Sequence, residues 1–146
     1  GIEPIHVYNP DGTDVKDGLT MDPSFKDMDR VFKAIDEQYH MKAIGRTVRY
    51  VHSGSNNSLK AFFYTNGETY ESKTINFEIV DRVGGGDSFA SGFVQGITSG
   101  MSMEKSLEFA IAAAAIKHTI PGDINYIKED EVLALMDSDG SGRVQR

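Results

Sequence analysis

The chain has 146 residues, no cysteine and a formal net charge of −7. Its length fits one domain, and the missing cysteines exclude disulfides and thiolate metal sites. The acidic balance argues against nucleic acid or an anionic membrane as a partner. Because no apolar run is long enough to cross a bilayer and no leader sequence is evident, the expected location is cytoplasmic.

The first half of the chain predicts one helix followed by several strands. Apolar residues recur on one helical face between Pro23 and Tyr39, with Asp22 as the expected N-cap and Pro23 at the first helical position. Strands are predicted after this helix, at residues 42–51, 59–65, 69–75 and 76–80. Asn66-Gly67 lies between the second and third of these strands and predicts a two-residue hairpin turn.

The second half predicts three helices after a glycine-rich loop. The first helix runs from Asp87 to Ser99, and the last covers residues 128–136. Ser102 is the expected N-cap of the middle helix, which runs to about Thr119. Lys105 takes the place of the glutamate of a capping box, so this cap is expected to be half formed. Strands followed by helices, with a loop at their junction, predict the α/β class.

Gly84-Gly85-Gly86 lies between a predicted strand and a predicted helix, where backbone N–H groups can point at an anion. Glycine permits positive φ and leaves room for a phosphate to approach the backbone, and the helix dipole adds partial positive charge. Asp87 follows directly, and its carboxylate has a use there if it takes a proton from a hydroxyl that attacks the phosphate. The three glycines alone are equally consistent with a flexible turn that has Asp87 as its N-cap.

Two other phosphate-binding motifs can be tested against the same loop. A Walker A motif requires a lysine directly after its last glycine, and no such lysine is present. The dinucleotide motif Gly-x-Gly-x-x-Gly fails because Phe89 occupies the position of its third glycine. A dinucleotide-dependent oxidoreductase is therefore disfavoured.

The nine residues from Asp81 to Phe89, Asp-Arg-Val-Gly-Gly-Gly-Asp-Ser-Phe, resemble the C-terminal signature of the ribokinase-like (PfkB-type) carbohydrate kinases, and look closest to the 2-keto-3-deoxygluconate kinases. The resemblance implies an α/β fold, the C-terminal part of a three-layer α/β/α sandwich. Residues 1–146 would then form a single partial domain, the nucleotide-binding and catalytic half of such a kinase. Because members of the family are much longer, the chain is expected to be a fragment with little activity alone.

The resemblance also implies roles for residues of the loop. Asp87 would deprotonate the sugar hydroxyl, and the N–H groups of Gly84, Gly85 and Gly86 would stabilise charge on the γ-phosphoryl group of ATP, with Mg²⁺ bridging the phosphates. Asp81 would support the loop and hold a metal, often a monovalent cation. Gly85 departs from the family, in which alanine is commoner, and this exchange is expected to loosen the loop slightly.

Other segments resemble the family more loosely. Ser55 and Asn57, which follow Arg46-Thr47-Val48-Arg49, and Gly122, in a turn after an alanine-rich helix, would contact the nucleotide. The same segments are equally consistent with a basic strand, a polar loop and a closely packed helix. His118 is expected to interact with the end of its helix rather than to take part in catalysis.

The expected reaction is phosphorylation of a hydroxyl of 2-keto-3-deoxygluconate or a similar sugar acid by ATP. The alternative is a non-catalytic nucleotide-binding or assembly module derived from such a kinase, and the intact Asp87 argues against it. Exposed strand edges in a partial domain favour a homo-oligomer. Residues 137–142 resemble the start of a calcium loop, but the chain ends before the glutamate and the helix that an EF-hand requires, so we reject a calcium site.

Overall fold

The computed structural model describes residues 7–138, which contain four helices and four strands. The helices are α1 (Phe25–Tyr39), α2 (Gly85–Thr98), α3 (Met103–Lys117) and α4 (Glu129–Asp137). The strands are β1 (Ala43–Val51), β2 (Asn56–Thr65), β3 (Glu68–Glu71) and β4 (Ile75–Glu78). All four strands therefore follow α1 and precede the other three helices.

The four strands form one antiparallel sheet centred on β2. β1 pairs with one edge of β2, while β3 and β4 pair one after the other with its opposite edge. Asn66 and Gly67 join β2 to β3 with φ angles of 51° and 83°, the two positive values that a type I′ turn requires, so the predicted hairpin is confirmed. Within residues 7–138 no strand pairs with the outer edge of β1. Self-association through this edge stays a prediction.

One face of the sheet is covered by α1. Large buried side chains fill this layer, with Met28, Val31, Phe32 and Ile35 of α1 packed against Ile44, Val48, Phe62 and Tyr64 of the sheet. The Phe32 and Tyr64 rings have centroids 6.1 Å apart, and the Tyr64 hydroxyl donates a hydrogen bond to Asp36 at 2.8 Å. The predicted amphipathic helix is therefore confirmed, because its buried residues recur on the face toward the sheet.

The other face of the sheet is covered by α2, α3 and α4. α3 is buried along most of its length and packs closely against α2. A Cβ on Gly92 of α2 would lie 3.1 Å from the Cα of Ala110, and a Cβ on Gly96 would lie 2.8 Å from the Cα of Ser106. Helices on both faces of one sheet give three layers, which confirms the α/β class and the sandwich arrangement.

The predicted N-cap of α1 is wrong. The helix begins after Ser24, whose hydroxyl accepts a hydrogen bond from the N–H of Asp27 at 3.2 Å. The Asp27 carboxylate accepts one in return from the N–H of Ser24 at 3.1 Å, which completes a capping box. Asp22 instead accepts a hydrogen bond from the Tyr50 hydroxyl at 2.7 Å, so its carboxylate ties the start of α1 to β1.

The strand predicted at residues 69–75 is interrupted and gives its last residue to β4. The reason is Ser72, whose hydroxyl accepts a hydrogen bond from the N–H of Ala61 at 2.9 Å and so replaces a backbone carbonyl of the ladder. Ser72 is buried and its hydroxyl also donates to the carbonyl of Lys73. The chain therefore leaves the sheet briefly between β3 and β4.

The predicted helix ends are correct to within two residues. The half-formed cap of α3 is confirmed, because the Ser102 hydroxyl accepts from the N–H of Lys105 at 3.3 Å without a reciprocal bond. Among the helices of residues 7–138, none is long and apolar enough to cross a membrane. Residues 139–142 of the segment that resembles a calcium loop lie outside the described residues.

Candidate functional site

The glycine loop connects β4 to α2 and is held in place by the turn that follows α3. The N–H groups of Val80 and Asp81 both donate to the carbonyl of His118, at 2.8 and 3.1 Å. Gly84 then adopts a left-handed conformation, with φ of 75°, and forms the N-cap of α2. The N–H groups of a first helical turn have no acceptor within the helix, so those of the turn that begins at Gly85 are available to an anion.

Asp81 fastens the beginning of the loop to the turn at Gly122. Its Oδ1 accepts hydrogen bonds from the N–H groups of Arg82 and Val83 at 2.6 and 3.1 Å, and its Oδ2 accepts one from Gly122 at 2.8 Å. The bond from Val83, followed by that from Gly122, lowers the pKa of Asp81, because N–H donors stabilise the ionised carboxylate. This geometry supports the predicted role of Asp81 in holding the loop.

The metal-binding role of Asp81 stays a prediction. Both of its carboxylate oxygens already accept hydrogen bonds from backbone N–H groups. Within residues 7–138, no group of three or more histidine, aspartate or glutamate side chains is placed to hold a metal ion. A metal ion at Asp81 would therefore depend on ligands other than such side chains.

Gly85 and His118 pack against each other beneath the loop. His118 is 6% exposed, and its Nδ1 lies 2.7 Å from the carbonyl oxygen of Ala114 in the last turn of α3. A Cβ on Gly85 would overlap the imidazole ring, with Nε2 only 2.8 Å away. The glycine at this position is therefore required by His118, and an alanine would displace the ring rather than only tighten the loop.

The surroundings of His118 favour the uncharged form of its imidazole. Burial lowers its pKa, and the hydrogen bond to Ala114 opposes this effect only in part. The positive charges of Arg49, Lys117 and Arg82 lower the pKa further. Because a carbonyl oxygen can only accept a hydrogen bond, Nδ1 must carry the proton and donate a hydrogen bond to the carbonyl of Ala114. The predicted interaction with the end of α3 is present, but it is made by a neutral donor and not by a cation.

A cleft of about 320 Å³ opens beside the first turn of α2. Residues from β1, β2, the loop and α3 line it: Thr47, Arg49, Leu59, Arg82, Gly85, Gly86, Ala114 and His118. Arg49 and Arg82 are both exposed, and their guanidinium charges add to the partial positive charge of the helix N-terminus. The cleft is therefore a locally positive site on an acidic chain, suited to a phosphate or a carboxylate.

Asp87 lies directly after Gly86, in the first turn of α2, and is exposed. It does not line the cleft. Within residues 7–138 its carboxylate has no hydrogen-bond or ion-pair partner, unlike that of Asp81. An unpaired carboxylate at the edge of an anion site is free to accept a proton from a bound hydroxyl.

The three residues outside the glycine loop that are predicted to contact a nucleotide lie in different surroundings. Ser55 is exposed between β1 and β2, and its carbonyl accepts a hydrogen bond from the N–H of Ile79 at 2.7 Å, just before the loop. Gly122 is also exposed and is bonded to Asp81. Asn57 is fully buried in β2, and neither Oδ1 nor Nδ2 has a hydrogen-bond partner among the described residues. The structure thus brings Ser55 and Gly122 to segments that flank the loop, whereas the Asn57 amide lies in the core.

Arg49, Arg82 and Lys117 have no separate role predicted from the sequence. Arg49 lies in β1 and Arg82 in the loop after β4, 33 residues further along the chain. β1 and β4 both pair with β2. This pairing brings Arg49, in β1, and Arg82, in the loop after β4, to one cleft. The sequence feature that could have indicated a shared role for Arg49 and Arg82 is their position in two segments that both resemble nucleotide-binding elements of one family.

The family model described as pfkB family carbohydrate kinase matches residues 29–130 of the chain. Among solved structures, the chain is similar to a 2-dehydro-3-deoxygluconokinase from Thermotoga maritima, with a TM-score of 0.74, 33% identity, and coverage of 79% of this chain and 35% of that one. A 2-dehydro-3-deoxygalactonokinase from Haloferax volcanii is 35% identical over 66 residues, which are 45% of this chain and 21% of that protein. A 5-dehydro-2-deoxygluconokinase from Listeria monocytogenes is 42% identical over 57 residues, which are 38% of this chain and 18% of that protein.

The chain spans about a third of the length of the Thermotoga protein and about a fifth of the length of the curated relatives. The region that the family model matches contains all four strands, the glycine loop, α2 and α3. Every residue that lines the cleft lies within it.

Proposed function

Because the chain belongs to the pfkB family of carbohydrate kinases, we propose that it forms the ATP-binding and catalytic part of an enzyme that phosphorylates a hydroxyl of a sugar acid. The observation that carries this proposal is the cleft at the first turn of α2. There the glycine loop, Arg49 and Arg82 meet at one positive site. Such a site suits the phosphate groups of a nucleotide.

Phosphoryl transfer depends mainly on positioning and on stabilisation of the charge that spreads over the transferred group. The N–H groups of Gly85 and Gly86 supply fixed donors, because the loop is held by Asp81 and by the carbonyl of His118. Arg49 and Arg82 supply two full positive charges at the same cleft. These groups would bind the phosphates and stabilise the charge on the γ-phosphoryl group.

Asp87 would act as the base that accepts the proton of the attacking hydroxyl. Its carboxylate is exposed and unpaired within the described residues, and it follows Gly86 directly. A hydroxyl bound at the mouth of the cleft would be within reach of both the base and the phosphate.

Mg²⁺ would enter this site with the nucleotide. The ion usually keeps several waters and is held by substrate phosphates with one or two carboxylates, rather than by a cage of protein ligands. This mode of binding is compatible with residues 7–138, in which Asp87 lies beside the loop and no cluster of three acidic or histidine side chains is present. When bound, Mg²⁺ would neutralise charge on the phosphates.

The substrate class is proposed from the relatives. Three of them are named for dehydro-deoxy derivatives of gluconate or galactonate. A sugar acid such as 2-keto-3-deoxygluconate is therefore the proposed acceptor. The cytoplasmic location also stays a prediction.

A non-catalytic nucleotide-binding module is the second candidate, and it is favoured by the absence of Asp87 from the residues that line the cleft. Such a module would bind nucleotide at the same loop without transferring phosphate. The two candidates share the binding step and differ in the use of Asp87.

The binding step is tested by calorimetric titration of the chain with Mg²⁺ and a non-hydrolysable ATP analogue. A Cβ on Gly86 has open space around it, so Gly86→Asp adds a negative charge to the loop without a steric clash. We expect this variant to lose roughly tenfold or more in affinity, about 1.4 kcal/mol. Gln38→Glu adds the same charge at an exposed position of α1, and this variant should bind the ATP analogue like the wild type. Equal affinity of all three proteins would contradict a phosphate site at the loop.

The chemical step is tested by a phosphotransfer assay with ATP and 2-keto-3-deoxygluconate. Asp87→Asn should lower kcat by about 10²–10⁴ and leave binding of the ATP analogue intact. Asp130→Asn, which changes an exposed carboxylate of α4, is the matched control and should keep full activity. Nucleotide binding with no transfer by the wild type would favour the non-catalytic module.

A further inference from the structure

Lys117, the last residue of α3, is completely buried. Burial of an ammonium group is costly unless several acceptors surround it. Its Nζ donates a hydrogen bond to the carbonyl of Gly122 at 2.7 Å and lies 3.4 Å from the carbonyl oxygen of Ile120. Within residues 7–138 no carboxylate lies within 4 Å of this ammonium. The charge is therefore held by carbonyl oxygens of the turn and not by a direct salt bridge.

The peptide groups of this turn connect Lys117 to the glycine loop. Gly122 accepts from Lys117 through its carbonyl and donates to the Asp81 carboxylate through its N–H at 2.8 Å. The positive charge of Lys117 also contributes to the lowered pKa of Asp81, after the hydrogen bonds from Val83 and Gly122. Lys117 and Asp81 thus hold opposite ends of one residue and lock the turn to the start of the loop.

The stem of Lys117 also contacts the loop directly. A Cβ on Gly84 would lie 3.1 Å from the Cε of Lys117. Gly84 is the N-cap of α2, so the lysine side chain packs behind the residue that turns the chain into the anion-binding helix. Removal of the charge should therefore disturb the loop as well as the turn.

The family resemblance implies a metal at Asp81, often a monovalent cation, and the surroundings of Asp81 do not fit such an ion. Such an ion would need carbonyl oxygens beside the carboxylate. Those of Ile120 and Gly122 already lie within hydrogen-bond distance of the Lys117 ammonium, and Oδ1 of Asp81 already accepts two N–H groups. A second positive charge in this position would be repelled by the lysine.

We infer that the ammonium of Lys117 is a built-in cation that takes the place of a bound monovalent ion and positions the glycine loop. Lys117 is a positioning residue, since it acts on the loop through Gly122, Asp81 and Gly84. The inference follows from the packing of the turn and does not depend on the proposed kinase activity. It implies that the stability of the chain and the binding of a phosphate-bearing ligand are insensitive to the choice of monovalent cation.

The test compares thermal unfolding of the wild type and two variants in chloride salts of K⁺, Na⁺, Li⁺ and tetramethylammonium at equal ionic strength. The wild type should give the same Tm in all four salts. Lys117→Met keeps the apolar stem but leaves the carbonyls of Ile120 and Gly122 without this donor, and should lower Tm by on the order of 10 °C in every salt. Lys117→Ala also opens a space, so K⁺ or Na⁺ should recover part of its lost Tm while tetramethylammonium, which is too large, should not.

Lys105→Ala, an exposed lysine of the same helix, is the control and should keep the wild-type Tm in all salts. The inference is overturned if the wild type gains stability selectively from K⁺ or Na⁺, or if Lys117→Met is as stable as the wild type. Should both Lys117 variants fail to fold in any salt, the salt series on the wild type still decides, because a required ion would raise its Tm. Titration with the ATP analogue in the same salts separates this result from the proposed function, since the salt dependence of Tm is measured without nucleotide.

Discussion

On the α1 face of the sheet the core is made of large side chains, whereas α2 and α3 on the other face meet through glycine and alanine. Met28, Val31 and Phe32 of α1 are fully buried and fill the space above β1 and β2. Between α2 and α3, in contrast, glycine brings the backbones so close that a Cβ on Gly96 would lie 2.8 Å from the Cα of Ser106. One face is therefore sensitive to lost volume and the other to added volume.

The difference follows from what each face has to hold. The α1 face only has to bury apolar surface, and side chains of ordinary size do this well. The α2–α3 face has to bring backbone groups together, because the loop is fixed by the carbonyl of His118 and by the N–H of Gly122. Small residues in α2 and α3 keep these backbone groups within hydrogen-bond distance.

The largest expected effect is loss of volume on the α1 face. Phe32 is fully buried between α1 and the sheet, so Phe32→Ala should lower the free energy of unfolding by about 3–5 kcal/mol. Chemical denaturation measures this change. Phe25 of the same helix is 40% exposed, and Phe25→Ala should cost much less. Equal losses at the two positions would show that burial on this face does not set the cost.

The next effect is added volume between α2 and α3. Gly96→Ala places a methyl group against the backbone of Ser106, which cannot move independently of α3, and should cost about 1–3 kcal/mol. Gly86→Ala, in the same helix but with open space around it, should leave the free energy of unfolding unchanged or raise it slightly. If Gly96→Ala were as well tolerated as Gly86→Ala, α2 and α3 would not be in close backbone contact.

The sequence was sufficient where a local pattern decides the structure. The hairpin at Asn66-Gly67 is set by the positive φ angles that these residue types permit, and α1 is set by the spacing of its apolar residues. The glycine loop was recognisable because the strand, the three glycines and the helix are contiguous. The N-cap of α1 was missed because Asp22 and Ser24 are both good caps, and only the contact of Asp22 with Tyr50 distinguishes them.

Features that depend on contacts between distant segments could not be read from the sequence. Gly85 and His118 are 33 positions apart, and nothing in either segment indicates that the ring fills the space of a Cβ. The buried Lys117 is equally hidden, because a lysine at the end of a helix ordinarily indicates a solvated partner of the helix dipole. Asn57 could not be placed from the sequence either, because its polar neighbours indicate an exposed loop although it is buried in β2.

A third prediction tests whether Gly85 is small because of His118. Gly85→Ala alone should be destabilising, since the methyl group overlaps the ring. In a chain that already carries His118→Ala the same change should be nearly neutral, which gives a coupling free energy of about 1 kcal/mol or more in a double-mutant cycle. Gly86→Ala combined with His118→Ala is the control cycle and should be additive. Additivity in both cycles would remove His118 as the reason for the glycine.

The smallest expected effect is a pH dependence of stability that comes from His118. Its pKa in the folded chain lies below the ordinary value of 6.5, mainly because of burial, so the unfolded chain binds this proton more readily than the folded chain. Stability from this group is therefore complete above pH 6.5 and is lost as the pH falls from 6.5 toward the folded pKa. Arg49, Lys117 and Arg82 all act in the same direction, since each disfavours a charged ring.

Denaturation curves of the wild type should accordingly show a free energy of unfolding that declines below pH 6.5. His118→Gln cannot titrate and can still donate to the carbonyl of Ala114, so its curve should be flatter in this window. Gln38→Ala removes an exposed side chain that cannot titrate, so it is the control and should keep the wild-type slope. The acid limb at lower pH, where Asp81 and other carboxylates with lowered pKa take up protons, should be common to all three proteins. If the free energy of unfolding of His118→Gln fell with pH as steeply as that of the wild type, the ring would have to be protonated or solvated in the folded chain. The face of the sheet covered by α2, α3 and α4 would then be less tightly packed around Gly85 than the α1 face is around Phe32.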